Sequence, residues 1–379
     1  RRISAEPASI ALLPTFDHTL SHHSAWRASN ADGLTVGAAR LPIIPALSVT
    51  IILTDHTAPA ASPLALVAQD MHEVDKVIGQ RLTSSVPLVA QISQYIIAAG
   101  GKRLRPALLL MVCGALGYRG AHRHSLAAVV ELIHTATLLH DDVVDASTLR
   151  RGRPTANETF GNPASVLVGD FLHTRSFQMM VEAGSMRIME ILSEATNVIA
   201  EGEVLQLMNM HDASLDEAGY LRVIRSKTAK LFEASARLGA ILANSTTDVE
   251  EACATYGQAL GTAFQIIDDV LDYDGDAAEM GKNLGDDLRE GKSTLPLIAA
   301  MERGTSSQAE VVRNAIEQGS TDQLAEIVSI VRQTGALDVT RAAAFAEAHR
   351  AMAAARRLPA NAYSEGLLEL ASQLLERRN

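Results

Sequence analysis

The sequence predicts an all-α protein, a single large helical bundle around a central cavity, on three observations. Hydrophobic residues make up 47% of the 379 residues and aromatics only 4%. With that balance, abundant Ala, Leu, Glu and Gln favour helix over sheet. From about residue 63 onward, apolar residues recur at three- and four-residue spacing, the period of a helix with a buried face. No strand–helix alternation and no internal repeat interrupts that pattern.

The periodic segments run over 64–82, 85–99, 104–116, 123–145, 163–183, 186–209, 215–243, 247–273 and 291–303. Glycine and proline punctuate them at 100–101, 117–120, 152–154, 161–163, 184 and 275–285, as expected of turns. Several segments are apolar on more than one face, which places them at the centre of the bundle. Residues 1–62 differ: Pro, Ser, Thr and His are scattered without a period. The run from Leu41 to Leu53 is too short to span a bilayer and is broken by Pro42 and Pro45. A signal-peptide arrangement is missing, and Asp17, Asp32 and Asp55 count against a transit peptide. These residues read as a disordered or non-native extension, and 63–379 as the helical domain.

The formal net charge of -11 argues against general attraction to nucleic acid. Cys113 and Cys253 lie in apolar segments outside any Cys/His ligand spacing. They read as reduced core thiols, which suits a cytoplasmic protein.

Segment 123–145 ends in His140-Asp141-Asp142-Val143-Val144-Asp145. Asp141 and Asp145, four residues apart, stack on one helix face, and Asp142 sits about 100° round. Like charges so close repel unless a cation neutralises them. An all-oxygen set suits Mg²⁺, which keeps waters and takes one or two carboxylates plus substrate phosphates. A single motif of this kind is also compatible with a solvated acidic helix end. Asp268-Asp269-Val270-Leu271-Asp272 repeats the spacing at the end of a second apolar helix, and two such ends are hard to explain as solvated faces. Facing one another, they would grip a diphosphate through bridging Mg²⁺ ions.

Basic residues supply the rest of an anion site. Gly100-Gly101-Lys102-Arg103-Leu104-Arg105 places a turn before a helix start, whose backbone N–H groups add to the site. Arg150 and Arg151 follow the first motif, Lys227-Thr228 lies in a helix, and Lys282 and Lys292 follow the second motif. Arginine forks onto phosphate oxygens and lysine acts as a point charge. Any one of them alone is an ordinary surface cation.

Together these stretches resemble the trans-polyprenyl diphosphate synthases. The matching runs are GGKRLRP (100–106), ELIHTATLLHDDVVD (131–145), LRRGRPTAN (149–157), ASVLVGDFL (164–172), IAEGEVLQL (199–207), SKTAKLFEA (226–234), GTAFQIIDDVLDY (261–273) and GKNLGDDLREGKSTLP (281–296). They occur in family order, and within the family they are most similar to the bacterial long-chain members of the octaprenyl type. Ser293 departs from the pattern, since many members carry Pro there.

The resemblance implies the isoprenoid synthase type of helical bundle, a homodimer, and an octaprenyl (C40) product for a quinone side chain. It implies that Asp141, Asp142, Asp145 and Asp268, with Asp269 and Asp272, hold Mg²⁺, three ions once substrate is bound. Arg150, Lys227, Lys282 and Lys292 would hold the allylic diphosphate. Lys102, Arg105, His134 and Arg151 would hold isopentenyl diphosphate, and Thr228 and Gln265 would flank the reacting carbons. Ala136 and Thr137, one turn below Asp141, are small enough to let a long product pass. Phe177, Met179 or Met180 would close the tunnel deeper, with Met180 the first choice. A medium-chain (geranylgeranyl-type) synthase, a terpene cyclase and a non-catalytic subunit of a heteromeric synthase are the alternatives. Intact aspartate motifs argue against the last, and a second diphosphate site against the cyclase.

Overall fold

The computed structural model describes residues 62–274 and 285–375. The extension expected before Ser62, and Lys282, lie outside the described residues. The first element is a 3₁₀ turn, Pro63–Val67, with Pro at its start and the Ser62 hydroxyl accepting from the Leu64 N–H.

Helices α1 (Ala68–Arg81), α2 (Pro87–Ala98), α3 (Leu104–Ala115) and α4 (His122–Val144) follow. A two-stranded hairpin, β1 (Leu149–Arg150) and β2 (Arg153–Pro154), separates α4 from α5 (Ala156–Phe160) and α6 (Asn162–Glu182). Next come α7 (Met186–Met208), α8 (Glu217–Ile224), a π-helical turn (Arg225–Ala229), α9 (Lys230–Leu242) and α10 (Thr247–Asp274). The chain continues with α11 (Asp286–Arg289), α12 (Leu295–Arg303), α13 (Ser306–Gln318), α14 (Leu324–Gln333), α15 (Ala336–Ala355) and α16 (Ala362–Leu375).

The expected all-α class therefore holds, and its centre is where all-round apolar character placed it. Every residue of α3 from Pro106 to Ala115 is buried, and α4 buries an unbroken run from Leu126 to Ile133. Helix α10 packs against α9 and α15, and α4 against α6. Small residues allow the close crossings. A Cβ at Gly257 would stand 2.4 Å from the Phe232 carbonyl oxygen, and one at Gly261 2.8 Å from the Ala229 Cα. The two cysteines are buried and unpaired with each other, and burial pushes both thiols up to about 12. Among the described residues no helix is long and apolar enough to cross a membrane.

Segment 215–243 departs from expectation. A continuous apolar period predicts one helix, but the chain forms α8, a π turn and α9. One extra residue per turn is invisible to a periodicity count, and such turns concentrate at functional sites.

Candidate active site

The first aspartate motif is met by two lysines from distant parts of the chain. Asp141 and Asp145, the latter capping the C-terminus of α4, lie 3.7 Å from Lys227 Nζ and 3.2 Å from Lys292 Nζ. Lys227 also contacts Glu203 on α7 at 2.6 Å, and Lys292 pairs with Glu290. Four carboxylates thus share two ammonium groups, which leaves surplus negative charge. Burial, and after it Asp141, pushes the Glu203 carboxyl up to about 7. Burial also raises Asp141 and Glu290. Burial pulls the Lys292 ammonium down, but Glu290, Asp145 and Asp287 outweigh it and hold it above the ordinary lysine range.

Asp142 does not belong to this face. It is fully buried, and its Oδ1 accepts from Arg150 Nε at 2.9 Å and Nη2 at 2.7 Å. The expected metal ligand and the expected diphosphate ligand are bound to each other instead. The cause is the 100° step along the helix, which turns Asp142 toward the β1–β2 hairpin.

The second motif divides in the same way. Asp268 is half-buried. Asp269 is buried, with Oδ2 accepting from Tyr220 Oη at 2.6 Å and Oδ1 from Gln265 Nε2 at 2.8 Å. Burial, then the neighbouring Asp287, pushes its carboxyl well above the usual range. Both carboxylate oxygens of Asp269 are thus engaged within the fold, where they hold Tyr220 and Gln265 in place. Asp272 is fully buried too, with Oδ2 accepting from the Asp287 N–H at the start of α11 at 3.4 Å.

Gln265 Oε1 accepts from Thr228 Oγ1 at 3.0 Å. The chain Tyr220–Asp269–Gln265–Thr228 fixes which way the Gln265 amide points. A cavity of about 120 Å³ opens between these groups, lined by Lys227, Thr228, Gln265, Asp269 and Lys292 among others. The π turn delivers Lys227 and Thr228 to it. That turn packs so tightly on α7 that a Cβ at Gly202 would stand 2.8 Å from the Lys227 backbone nitrogen and from Ser226 Cβ.

A second cationic cluster stands at the start of α3. Arg105 Nη1 lies 3.2 Å from His134 Nε2, and its guanidinium sits 4.4 Å from the centre of the Phe232 ring. Burial brings Arg105 down to about 10. Burial, then Arg105, Arg151 and Arg150, holds His134 well below the usual imidazole range, so the ring is a neutral acceptor for Arg105. Arg151 and Gly152 form the hairpin turn with φ of 54° and 71°, the pair of positive values a type I′ turn requires. The turn lays Arg151 over Gly101, whose missing Cβ would fall 2.6 Å from the guanidinium. Lys102 is exposed at the edge of this cluster. Arg103 is not part of it: it is buried and paired with Asp75 and, at 3.8 Å, Glu131.

The residues expected to set product length sit on α4 and α6. Ala136, Met179 and Met180 are buried in the main core. Thr137 is half-buried and donates to the His134 carbonyl at 2.8 Å, and Phe177 meets the His173 ring edge-on at 5.1 Å. Sequence reasoning missed Glu203, Glu290, Tyr220 and Asp287. Glu203 had one usable signal, its place in the EGEVLQL run, where a charged residue interrupts an apolar helix.

The donor set fits Mg²⁺. Asp141 and Asp145 present only oxygen ligands, in an excess of negative charge. Among the described residues no three acidic, His or Cys side chains close around one point. A cation held by Asp141 and Asp145 would therefore complete its shell with water and substrate oxygens, which is how Mg²⁺ is commonly bound.

An all-helical bundle with aspartate motifs at two helix ends and two sets of basic side chains beside them defines a diphosphate-handling synthase. Residues 86–332 match the polyprenyl synthetase family, and the chain belongs to that family. The octaprenyl diphosphate synthase of Escherichia coli (strain K12) is 52% identical to it over 313 residues, 82% of this chain and 97% of that protein. The all-trans-nonaprenyl-diphosphate synthase (geranyl-diphosphate specific) of Rhodobacter capsulatus is 46% identical over 315 residues, 83% and 97% of the two chains. A solved polyprenyl synthase from Caulobacter crescentus CB15, complexed with calcium and isoprenyl diphosphate, superposes with a TM-score of 0.81. It is 46% identical and covers 84% of this chain and 97% of its own. The resemblance read from the motifs and the fold class are both borne out.

Proposed function

We propose that this chain is a Mg²⁺-dependent trans-prenyltransferase. It condenses an allylic diphosphate such as farnesyl diphosphate with successive isopentenyl diphosphates into a long all-trans polyprenyl diphosphate of octaprenyl length. The carrying observation is two separate sets of basic side chains, Lys227 with Lys292 and Arg105 with Arg151, the first of these beside His134. Two sets fit two diphosphate substrates.

Asp141, Asp145 and Asp268 would hold Mg²⁺, which when bound neutralises charge on the leaving diphosphate. Lys227 and Lys292 exchange their carboxylate partners for diphosphate oxygens and meet the negative charge as the allylic carbon–oxygen bond breaks. Thr228 Oγ1 and Gln265 Oε1 turn oxygen dipoles toward the developing allylic cation. Arg105, Arg151 and Lys102 hold isopentenyl diphosphate so that its double bond attacks that cation. Proton loss from the new bond's neighbour yields an allylic diphosphate one isoprene unit longer, and the departed diphosphate takes the proton. Met210, Leu215, Val223 and Ile224 form the apolar part of the cavity lining, which shields the cation from water.

A homodimer fits the apolar side chains that α6 and α7 leave exposed, including Leu167 (67%), Val181 (65%), Leu207 (56%) and Met208 (75%). Buried free thiols fit a cytoplasmic setting. Incubation with farnesyl diphosphate, radiolabelled isopentenyl diphosphate and Mg²⁺ tests the reading. The expected product is the eight-unit chain, with EDTA abolishing its formation. Absence of any elongated product rejects the proposal.

A further inference from the structure

We infer that His211 and Ser293 form a latch that positions Lys292, holding by hydrogen bonds the loop that carries its ammonium. The inference rests on the reading that Lys292 binds the allylic diphosphate.

Lys292 lies between α11 and α12, in a loop where both of its neighbours are tied to one two-residue segment. The His211 N–H donates to the Gly291 carbonyl at 2.8 Å. The Ser293 hydroxyl donates to the Asp212 carbonyl at 2.7 Å. Ser293 is nearly buried, at 5% exposure, so this bond is shielded from competing water.

The segment that supplies these ties is itself fixed. The His211 ring fills the space beside two glycines: a Cβ at Gly291 would stand 2.3 Å from Nδ1, and one at Gly319 2.9 Å from Cε1. His211 Nδ1 lies 3.0 Å from the Ile316 carbonyl at the end of α13, which makes Nδ1 the protonated nitrogen. The backbone of His211 is left-handed, with φ of 63°, a conformation that a non-glycine residue keeps only when its surroundings impose it. Asp212 accepts from the Ser214 N–H at 2.8 Å and hydroxyl at 2.6 Å, which stiffens the same loop.

Proline at 293 would restrict the backbone through its ring. Serine lacks that restriction, and the bond to Asp212 replaces it. The ammonium of Lys292 is thereby held between Glu290 and Asp145 rather than left on a free tether.

Steady-state kinetics on the full chain with farnesyl and isopentenyl diphosphates, joined to calorimetric binding of inorganic diphosphate in Mg²⁺, test the latch. Ser293→Ala should raise the KM for the allylic substrate roughly fivefold, the weight of one lost hydrogen bond. It should leave the KM for isopentenyl diphosphate unchanged, because Arg105 and Arg151 are untouched. Ser293→Pro should restore the allylic KM, and His211→Ala should raise it at least as much as Ser293→Ala. An unchanged allylic KM in Ser293→Ala, or equal rises in both KM values, overturns the latch. Calorimetry reads it without turnover. If the wild type fails to elongate while Ser293→Ala weakens diphosphate binding, the latch stands and the proposed activity falls. If binding is unchanged as well, the latch falls with it.

Discussion

Lys227 Nζ lies 2.6 Å from Glu203 and 3.7 Å from Asp141, so a residue outside both aspartate motifs holds this lysine more closely than the motif does. Glu203 therefore competes with any diphosphate for the ammonium. Its carboxyl titrates at about 7, raised first by burial and then by Asp141. Below that pH it is neutral and releases Lys227; above it the carboxylate returns and competes. The KM for the allylic diphosphate should rise between about pH 6 and pH 8 in the wild type. Glu203→Gln should lose that part of the dependence. Parallel pH profiles for the two proteins would sink the argument, and the titration of the substrate itself cancels in their ratio.

Tyr220 is the outer end of the chain that orients Gln265. Tyr220→Phe removes one of the two donors to the buried Asp269, a loss of about 1–3 kcal/mol. Denaturant unfolding should register it. If Gln265 faces the developing cation, turnover should fall roughly tenfold with both KM values kept, because its amide loses its fixed direction. A stability loss with unchanged kcat would confine Tyr220 to structure.

Gly202 marks the closest approach of α7 to the π turn. A methyl group there would stand 2.8 Å from the Lys227 backbone nitrogen, and backbone cannot swing aside as a side chain can. Gly202→Ala should displace Lys227 and Thr228 together and lower kcat about a hundredfold. Circular dichroism should show the helical content retained. Near-normal turnover would mean that the turn tolerates the shift.

Met180 is completely buried on α6. Met180→Ala leaves a cavity and costs about 2–5 kcal/mol. If Met180 ends the product tunnel, chromatography of the products should show longer chains than the wild type makes. An unchanged length distribution would return Met180 to ordinary core packing.

Much of this arrangement was legible in the sequence because it rests on short-range geometry. The long helices before residue 304 follow from apolar period, the short α5 and α11 do not, and the shared face of Asp141 and Asp145 follows from a four-residue step. What the sequence left open depends on partners far along the chain. A helical wheel turns Asp142 off that face, but only the folded hairpin shows that Arg150 takes it. Asp269 matches the motif spacing as well as Asp268 does, yet Tyr220, 49 residues earlier, claims its carboxylate. The π turn leaves the apolar pattern almost unchanged, so Lys227 and Thr228 read as members of a plain helix.

The β1–β2 hairpin has a mechanical consequence. Arg150 is anchored to Asp142 under the first aspartate motif, and Arg151, the next residue, lies over Gly101 beside the second cationic cluster. One peptide unit, about 3.8 Å between Cα atoms, therefore ties the guanidinium anchored on α4 to the one laid over Gly101. Neither anchor can shift without pulling on the other, so a displacement of Asp142 on α4 is carried through the hairpin to the turn over Gly101.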